Sequence, residues 1–208
     1  GRLLPGYVSM LAQAVAQEQQ ELITELGNLT RSVDHIKNVV ATQQSYAGRS
    51  SVLEPVRMRE LMEDALRINS DSLARHQVAV IKDFAEVPQA QLDKGRVMQI
   101  LVNLIRNATQ AMSGVSDRPR RLTLRLDAAE ACLRVSVEDE GTGIPQHNLT
   151  RIFAHGFTTR QNGHGFGLHS CALAAREMGG TLVARSDGPD RGATFTLELP
   201  LAGDHGKP

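Results

Sequence analysis

The chain has 208 residues, with 23 basic and 23 acidic side chains, two cysteines and no tryptophan. That length accommodates one sizeable domain plus an appendage. The balanced charge gives no sign of a nucleic-acid surface, no run is apolar enough to span a membrane, and no signal peptide is visible. Cys132 and Cys171 lack metal-ligand spacing and read as small buried residues of a reducing compartment. A cytoplasmic location is expected, with a membrane possible only in a longer parent protein.

Residues 5–46 read as one long helix. Leu4, Val8, Leu11, Val15, Leu22, Leu26, Leu29, Val33, Ile36 and Val40 recur at three- and four-residue spacing, with Glu18 filling one seam position. A helix of this length carries no core of its own, so its seam must bury against a partner helix. A second copy, another segment, or both would serve. His35 lies on this helix, in Asp34-His35-Ile36-Lys37-Asn38. It reads either as a phosphoacceptor or as a polar residue beside the seam.

A break at 48–51 ends the helix. An edge strand over 52–56 follows, since Pro55 is excluded from a central one. Residues 57–75 form an amphipathic helix with Leu61, Ala65, Leu66, Ile68 and Leu73 on its apolar side. Val78, Val80, Ile81 and Phe84 mark a strand over 77–84.

The helix expected over 93–112 is apolar on most of its surface. A single polar stripe remains: Gln99, Asn103, Arg106, Asn107 and Gln110. Asn103 and Asn107 are four apart and share a face. A solvent stripe normally holds Glu and Lys, whereas Asn disfavours helix. Amide oxygens suit Mg²⁺, which takes oxygen ligands and shares its other positions with phosphates and water. The alternative is a simple exposed stripe.

Strands over 122–126 and 133–137 form a hairpin across 127–131. In the second, Leu133, Val135 and Val137 alternate with Arg134, Ser136 and Glu138, which puts Asp139 on the apolar face. An acid there must find a donor. The alternative is a turn-forming Asp ahead of glycine.

A glycine-rich stretch then runs from Asp139-Glu140-Gly141-Thr142-Gly143 to Gly163-His164-Gly165-Phe166-Gly167-Leu168. Clustered glycine costs chain entropy, so it implies backbone approaching a ligand, or a mobile surface loop. Leu168 stands where a dinucleotide fingerprint needs its third glycine, and no Gly-Lys-Ser/Thr follows for a P-loop. The stretch opens a helix near Leu168, whose free N–H groups suit an anion. That helix ends at Gly179-Gly180. Strands over 181–186 and 193–199 follow, and 202–208 reads as a disordered tail. The element order predicts an α/β (α+β) fold, a two-layer sandwich with a mixed sheet.

Asn103-x-x-x-Asn107-Ala108, Asp139-x-Gly141-x-Gly143, Phe153 with Phe157-Thr158-Thr159, Gly163-x-Gly165-x-Gly167-Leu168 and Gly192-Ala193-Thr194-Phe195 resemble the N, G1, F, G2 and G3 boxes of sensor histidine kinases. That family shares its superfamily with DNA gyrase, MutL and a heat-shock chaperone. The resemblance covers about residues 52–200, and the preceding helix resembles the second helix of the dimerisation and phosphotransfer domain. It implies a dimerisation helix over 1–48, a Bergerat-type ATP-binding catalytic domain over 49–201, and a tail over 202–208. It also implies ATP and Mg²⁺ as cofactors. By it, Asp139 accepts from the adenine amino group, Asn103 and Asn107 hold Mg²⁺, and 155–167 is a mobile lid. The lid's Gly163, Gly165 and Gly167 cradle phosphates. Gly141, Gly143, Ile144, Phe153, Thr158, Thr159, His164, Phe166 and Leu168 complete the nucleotide site, and Thr194 supports the adenine. Arg106 and Arg160 are candidates for phosphate contact.

In the superfamily's ATPases the first N-box residue is a glutamate that activates water. Asn103 has no useful basicity, which favours phosphoryl transfer to a protein side chain over hydrolysis. The family's acceptor histidine typically lies in His-Glu/Asp-x-x-Asn/Thr on the first of two hairpin helices. His35 is followed by Ile36, and only 68 positions separate it from Asn103, too few for a return helix. The acceptor is therefore expected upstream of Gly1. The implied partners are a second copy and a response regulator. The competing readings are a non-catalytic nucleotide-binding module and an anti-sigma-type serine kinase; the long dimerisation helix argues against the latter.

Overall fold

The structure, a computed structural model, describes residues 10, 13, 15–23, 25, 52–129, 131–159 and 165–201. The chain divides into two units, residues 1–49 and 50–208. In the first, the described residues are helical, and Met10, Val15, Leu22 and Ile23 are exposed. The rest of the seam, His35, Arg160, Gly163, His164 and the 202–208 tail lie outside the described residues.

The second unit opens with β1 (Glu54–Val56), which pairs antiparallel with β3 (Ala90–Leu92). Strand β3 is too short to show alternation in the sequence. It is held because Ala90 and Leu92 are buried while Gln91 between them is exposed. The helix expected over 57–75 is divided into α1 (Met58–Ile68) and α2 (Ser70–Arg75). Asn69 causes the break. Its buried side-chain Nδ2 donates back to the Ala65 carbonyl at 2.9 Å, competing with the helix ladder.

The main sheet contains β2 (Ala79–Phe84), β4 (Arg121–Ala129), β5 (Cys132–Asp139), β6 (Thr181–Arg185) and β7 (Ala193–Pro200). Its order is β2-β4-β5-β7-β6, with β2 parallel to β4 and every other pair antiparallel. The sheet is therefore mixed, as the element order predicts. The β4–β5 hairpin is longer than expected, and its ladder continues to the pair Ala129–Cys132. Asp127, expected in the loop, instead lies in the ladder opposite Arg134, 3.5 Å from its guanidinium.

The two faces of the sheet differ in chemistry. One carries Leu122, Leu124, Leu126, Leu133, Val135, Val137, Phe195, Leu197 and Leu199, all buried. The other carries Arg125 against Glu138 and Arg134 against Glu198, with Ser136 hydrogen-bonded to Thr196. Cys132 belongs to this second face, in step with Arg134 and Ser136, and is exposed. The expectation that both cysteines are buried is corrected: only Cys171 is.

Helix α3 (Lys94–Met112) covers the apolar face with Val97, Ile100, Leu101, Leu104, Ile105, Ala108, Thr109 and Met112. Asp93 starts it, its side chain accepting from the Arg96 N–H at 3.0 Å. Helix α4 (Gly167–Glu177) packs beside it, burying Cys171, Ala172 and Ala175. An ion pair from Arg96 in the first turn of α3 to Glu177 at the end of α4 joins the two helices. Helices on one face and solvent on the other make a two-layer sandwich.

Leu104 is fully buried between the helices and the sheet. Leu104→Ala is expected to lower the unfolding free energy by about 2–5 kcal/mol. Arg125→Ala, on the charged face, is expected to cost less than about 1 kcal/mol. Urea unfolding followed by circular dichroism checks both.

Candidate nucleotide site

Three segments converge: the end of β5 with its turn, one stripe of α3, and the start of α4. Asp139 is 3% exposed and closes the apolar face of β5, with Leu122 and Ala193 opposite it on the neighbouring strands. Its Oδ1 accepts from the Gly141 N–H at 2.9 Å. Both readings of this residue therefore hold together: the carboxylate is on the core face, and it forms an Asx turn.

The turn glycines are required by protein, not by open space. A Cβ on Gly141 would lie 2.7 Å from Asp139 Oδ1 and 2.8 Å from Ala111 Cβ. Gly143, at φ +68°, passes the Gly188 carbonyl so closely that a Cβ would sit 2.1 Å from its oxygen. The same turn is tied down by hydrogen bonds. The Thr142 N–H donates to the Ala111 carbonyl at 3.2 Å, and Asp190 N–H to the Thr142 carbonyl at 2.7 Å. Ile144 N–H donates to Ser186 Oγ at 2.9 Å, and the Arg118 guanidinium donates to the Gly141 carbonyl at 2.9 Å. Ser186 and Arg118 escape sequence reasoning because each is a single residue outside any motif.

Along α3, Asn103, Asn107 and Ala111 are spaced by four and form one stripe. Ala111 meets the turn at Gly141, and Asn103 meets the start of α4. Eight residues of helix separate these ends by about 12 Å. Asn103 and Asn107 are half-buried, and Asn103 Oδ1 accepts from the Arg106 guanidinium at 3.1 Å. A Cβ on Gly167, the first residue of α4, would lie 3.8 Å from that same oxygen. Phe166 precedes α4 and makes no side-chain cap, so its side chain satisfies none of the first-turn N–H groups.

The segment before α4 is fastened to it by rings. The Phe153 carbonyl is 3.0 Å from His169 Nδ1, which must therefore carry the proton and donate. His155 packs on Phe166 at 4.8 Å and on His169 at 5.2 Å between ring centroids. Phe153 and Phe157 pack against the core, whereas Thr158 and Thr159 are exposed. Gly165, at φ +70°, runs against the backbone of Gly156 and Phe157. Leu168 packs against the core as well.

Thr194 is displaced from the expected site. It pairs with Glu138 and Arg185, on the opposite face of the sheet from Asp139. The residue opposite Asp139 is Ala193. The expectation that Thr194 supports an adenine is corrected, because one step along a strand reverses the face.

Residues 92–203 match the family model described as "Histidine kinase-, DNA gyrase B-, and HSP90-like ATPase", more than half of the chain. The chain belongs to that family. Sensor protein TdiS of Thauera aromatica is 31% identical over 150 residues, which is 71% of this chain and 27% of TdiS. Sensor histidine kinase ZraS of Escherichia coli (strain K12) is 29% identical over 219 aligned positions, covering 92% of this chain and 45% of ZraS. The chain thus spans less than half the length of these relatives. The crystal structure of histidine kinase ThkA in complex with response regulator protein TrrA matches with a TM-score of 0.66. It covers 85% of this chain and 50% of that chain at 22% identity, a likeness of fold.

Burial pushes the Cys171 thiol up to about 12, while the Asn103 hydrogen bond and the Arg106 charge pull it the other way. Its folded value lies above the ordinary thiol value of about 8.5. The contribution to stability is therefore complete below that value and is lost as the pH rises towards about 12. Iodoacetamide at pH near 8 is expected to label Cys132 in the native chain and to spare Cys171 until denaturant is added. Peptide mass spectrometry reads this; rapid native labelling of Cys171 would contradict it.

Proposed function

We propose that this chain is the ATP-binding catalytic part of a sensor histidine kinase, transferring the γ-phosphoryl group of ATP to a histidine side chain. The observation that carries this reading is Asn103. It heads the α3 stripe beside the start of α4, where a water-activating enzyme would need a carboxylate. An amide accepts no proton at neutral pH, so the site works by positioning and charge neutralisation. The names of TdiS and ZraS, both sensor proteins, support it.

In this reading Asp139 accepts from the adenine amino group, and the first-turn N–H groups of α4 receive phosphate oxygens. Asn103 and Asn107 hold Mg²⁺. The donor set fits: both amides are half-buried, and Asn103 Oδ1 already receives a cation, the Arg106 guanidinium. Two amide ligands would leave the ion's remaining positions to phosphates and water. When bound, Mg²⁺ supplies charge neutralisation at the transferring phosphate.

The seam over 5–46 is covered by a second copy of the chain. Its described positions Val15 and Leu22 are 48% and 53% exposed within one copy. The acceptor is a histidine upstream of this chain, presented to the site by a neighbouring helix. The partner downstream is a response regulator, the class of protein bound in the ThkA complex. No helix among the described residues is long and apolar enough to cross a membrane, and a cytoplasmic site of action is proposed.

The chain is expected to bind Mg-ATP without labelling itself from γ-labelled ATP. Adding a segment that carries the acceptor should produce acid-labile, base-stable phosphate. Label lost in His35→Gln would put the acceptor inside the chain. Binding without any transfer would leave a regulatory nucleotide module.

A further inference from the structure

We infer that Ser186 is a positioning residue for the adenine end of the site: its hydroxyl fastens the 141–144 turn and through it aims the Asp139 carboxylate. The inference rests on the ATP reading proposed above. A carboxylate that recognises one amino group must be held in direction as well as in place, because hydrogen bonds weaken steeply with misalignment. Asp139 Oδ1 is held by the Gly141 N–H at 2.9 Å. Whatever fixes that turn therefore fixes the acceptor.

The turn lies alongside the 186–192 segment that joins β6 to β7, and the two chains meet step by step. The Gly192 N–H donates to the Gly141 carbonyl at 3.2 Å, and the Asp190 N–H to the Thr142 carbonyl at 2.7 Å. Gly143 lies against the Gly188 carbonyl. At the fourth step the Ile144 N–H donates to Ser186 Oγ at 2.9 Å. The first three contacts are made by backbone, so they follow from the glycines and the path of the chain. The fourth is made by a side chain, and there the residue type decides.

Ser186 uses its whole hydrogen-bonding capacity at this junction. A hydroxyl has one proton to donate and two lone pairs with which to accept. Oγ donates to the Gly192 carbonyl at 2.6 Å, in preference to the Gly188 carbonyl at 3.3 Å. It accepts from the Ile144 N–H and, at 3.3 Å, from the Gly188 N–H. One atom thus closes the 186–192 segment on itself and clamps it to Ile144.

The clamp reaches the acid from two sides. Through Ile144 it holds the turn whose Gly141 N–H orients Oδ1. Through Gly192 it holds the strand entry that passes against the Asp139 carbonyl. Within the segment, Gly188, Asp190 and Gly192 have φ of 113°, 59° and 68°. A non-glycine residue such as Asp190 keeps that conformation only where its surroundings fix it. The Ser186 hydroxyl supplies that fixing at the base of the segment.

The test is a double-mutant cycle on ATP affinity, read by calorimetry on the full chain. Ser186→Ala is expected to lower the affinity by about three- to tenfold, the loss of one hydrogen bond. In the Asp139→Asn background, Ser186→Ala is expected to lower it no further, because the acceptor it aims is gone. A merely structural defect would cost the same factor in both backgrounds. That additive result, or an unchanged affinity in Ser186→Ala alone, would overturn the inference. If the unsubstituted chain binds no ATP, the ATP reading fails instead, and hydrogen exchange in the ligand-free chain decides the junction by itself. The Ile144 amide is expected to exchange about three- to tenfold faster in Ser186→Ala, while the Val137 amide in β5 keeps its rate. An Ile144 amide that exchanges no faster would refute the clamp.

Discussion

A carboxylate at the end of an apolar strand is the constraint on which the rest of the structure depends. Burying Asp139 among Leu122, Val137 and Ala193 is costly unless its oxygens are hydrogen-bonded. One bond comes from the Gly141 N–H, two residues on, which forces the chain into a tight turn. The turn then sits so close to α3 that Gly141 has no room for a side chain. Gly192 faces a similar limit from the other direction, its Cβ position lying 2.0 Å from the Asp139 carbonyl oxygen. Backbone from β5, α3 and the β6–β7 turn is thereby locked around one acid.

Helix α3 converts that local arrangement into an elongated site. Its apolar face is consumed by the sheet, so only one stripe remains for chemistry. The four-residue period carries that stripe from Ala111, at the buried acid, to Asn103, at the start of α4. In the proposed reading, an adenine-sized group at one end and phosphates at the other would both be served by this single helix. The family's ATP-binding fold and the neutral amides along this helix meet in the same place.

Much of this was legible because its signals are periodic. Alternation in 133–137 placed Asp139 on the core face, and four-residue spacing placed Asn103 and Asn107 together. Features set by single tertiary contacts were not legible. Strand β3 is three residues long and exists through its pairing with β1. The break at Asn69 depends on one side chain turning back on Ala65. Thr194 illustrates the sensitivity of strands, where an error of one position exchanges core for solvent. The glycine cluster implied backbone approaching a ligand or a mobile loop, yet at Gly141, Gly143 and Gly165 what comes close is the protein's own chain. Sequence composition alone cannot say which surface a bare backbone passes.

The most direct measurement of the account is ATP affinity, by calorimetry, in Asp139→Asn. An asparagine oxygen can still accept from the Gly141 N–H, so the turn and the fold should persist, with thermal unfolding near that of the unsubstituted chain. The other end of the side chain becomes a donor and meets the adenine amine as a mismatch of about 1–3 kcal/mol. The account predicts a folded variant whose affinity is lower by roughly five- to 150-fold. A folded variant with unchanged affinity would contradict it and leave Asp139 as a turn residue alone.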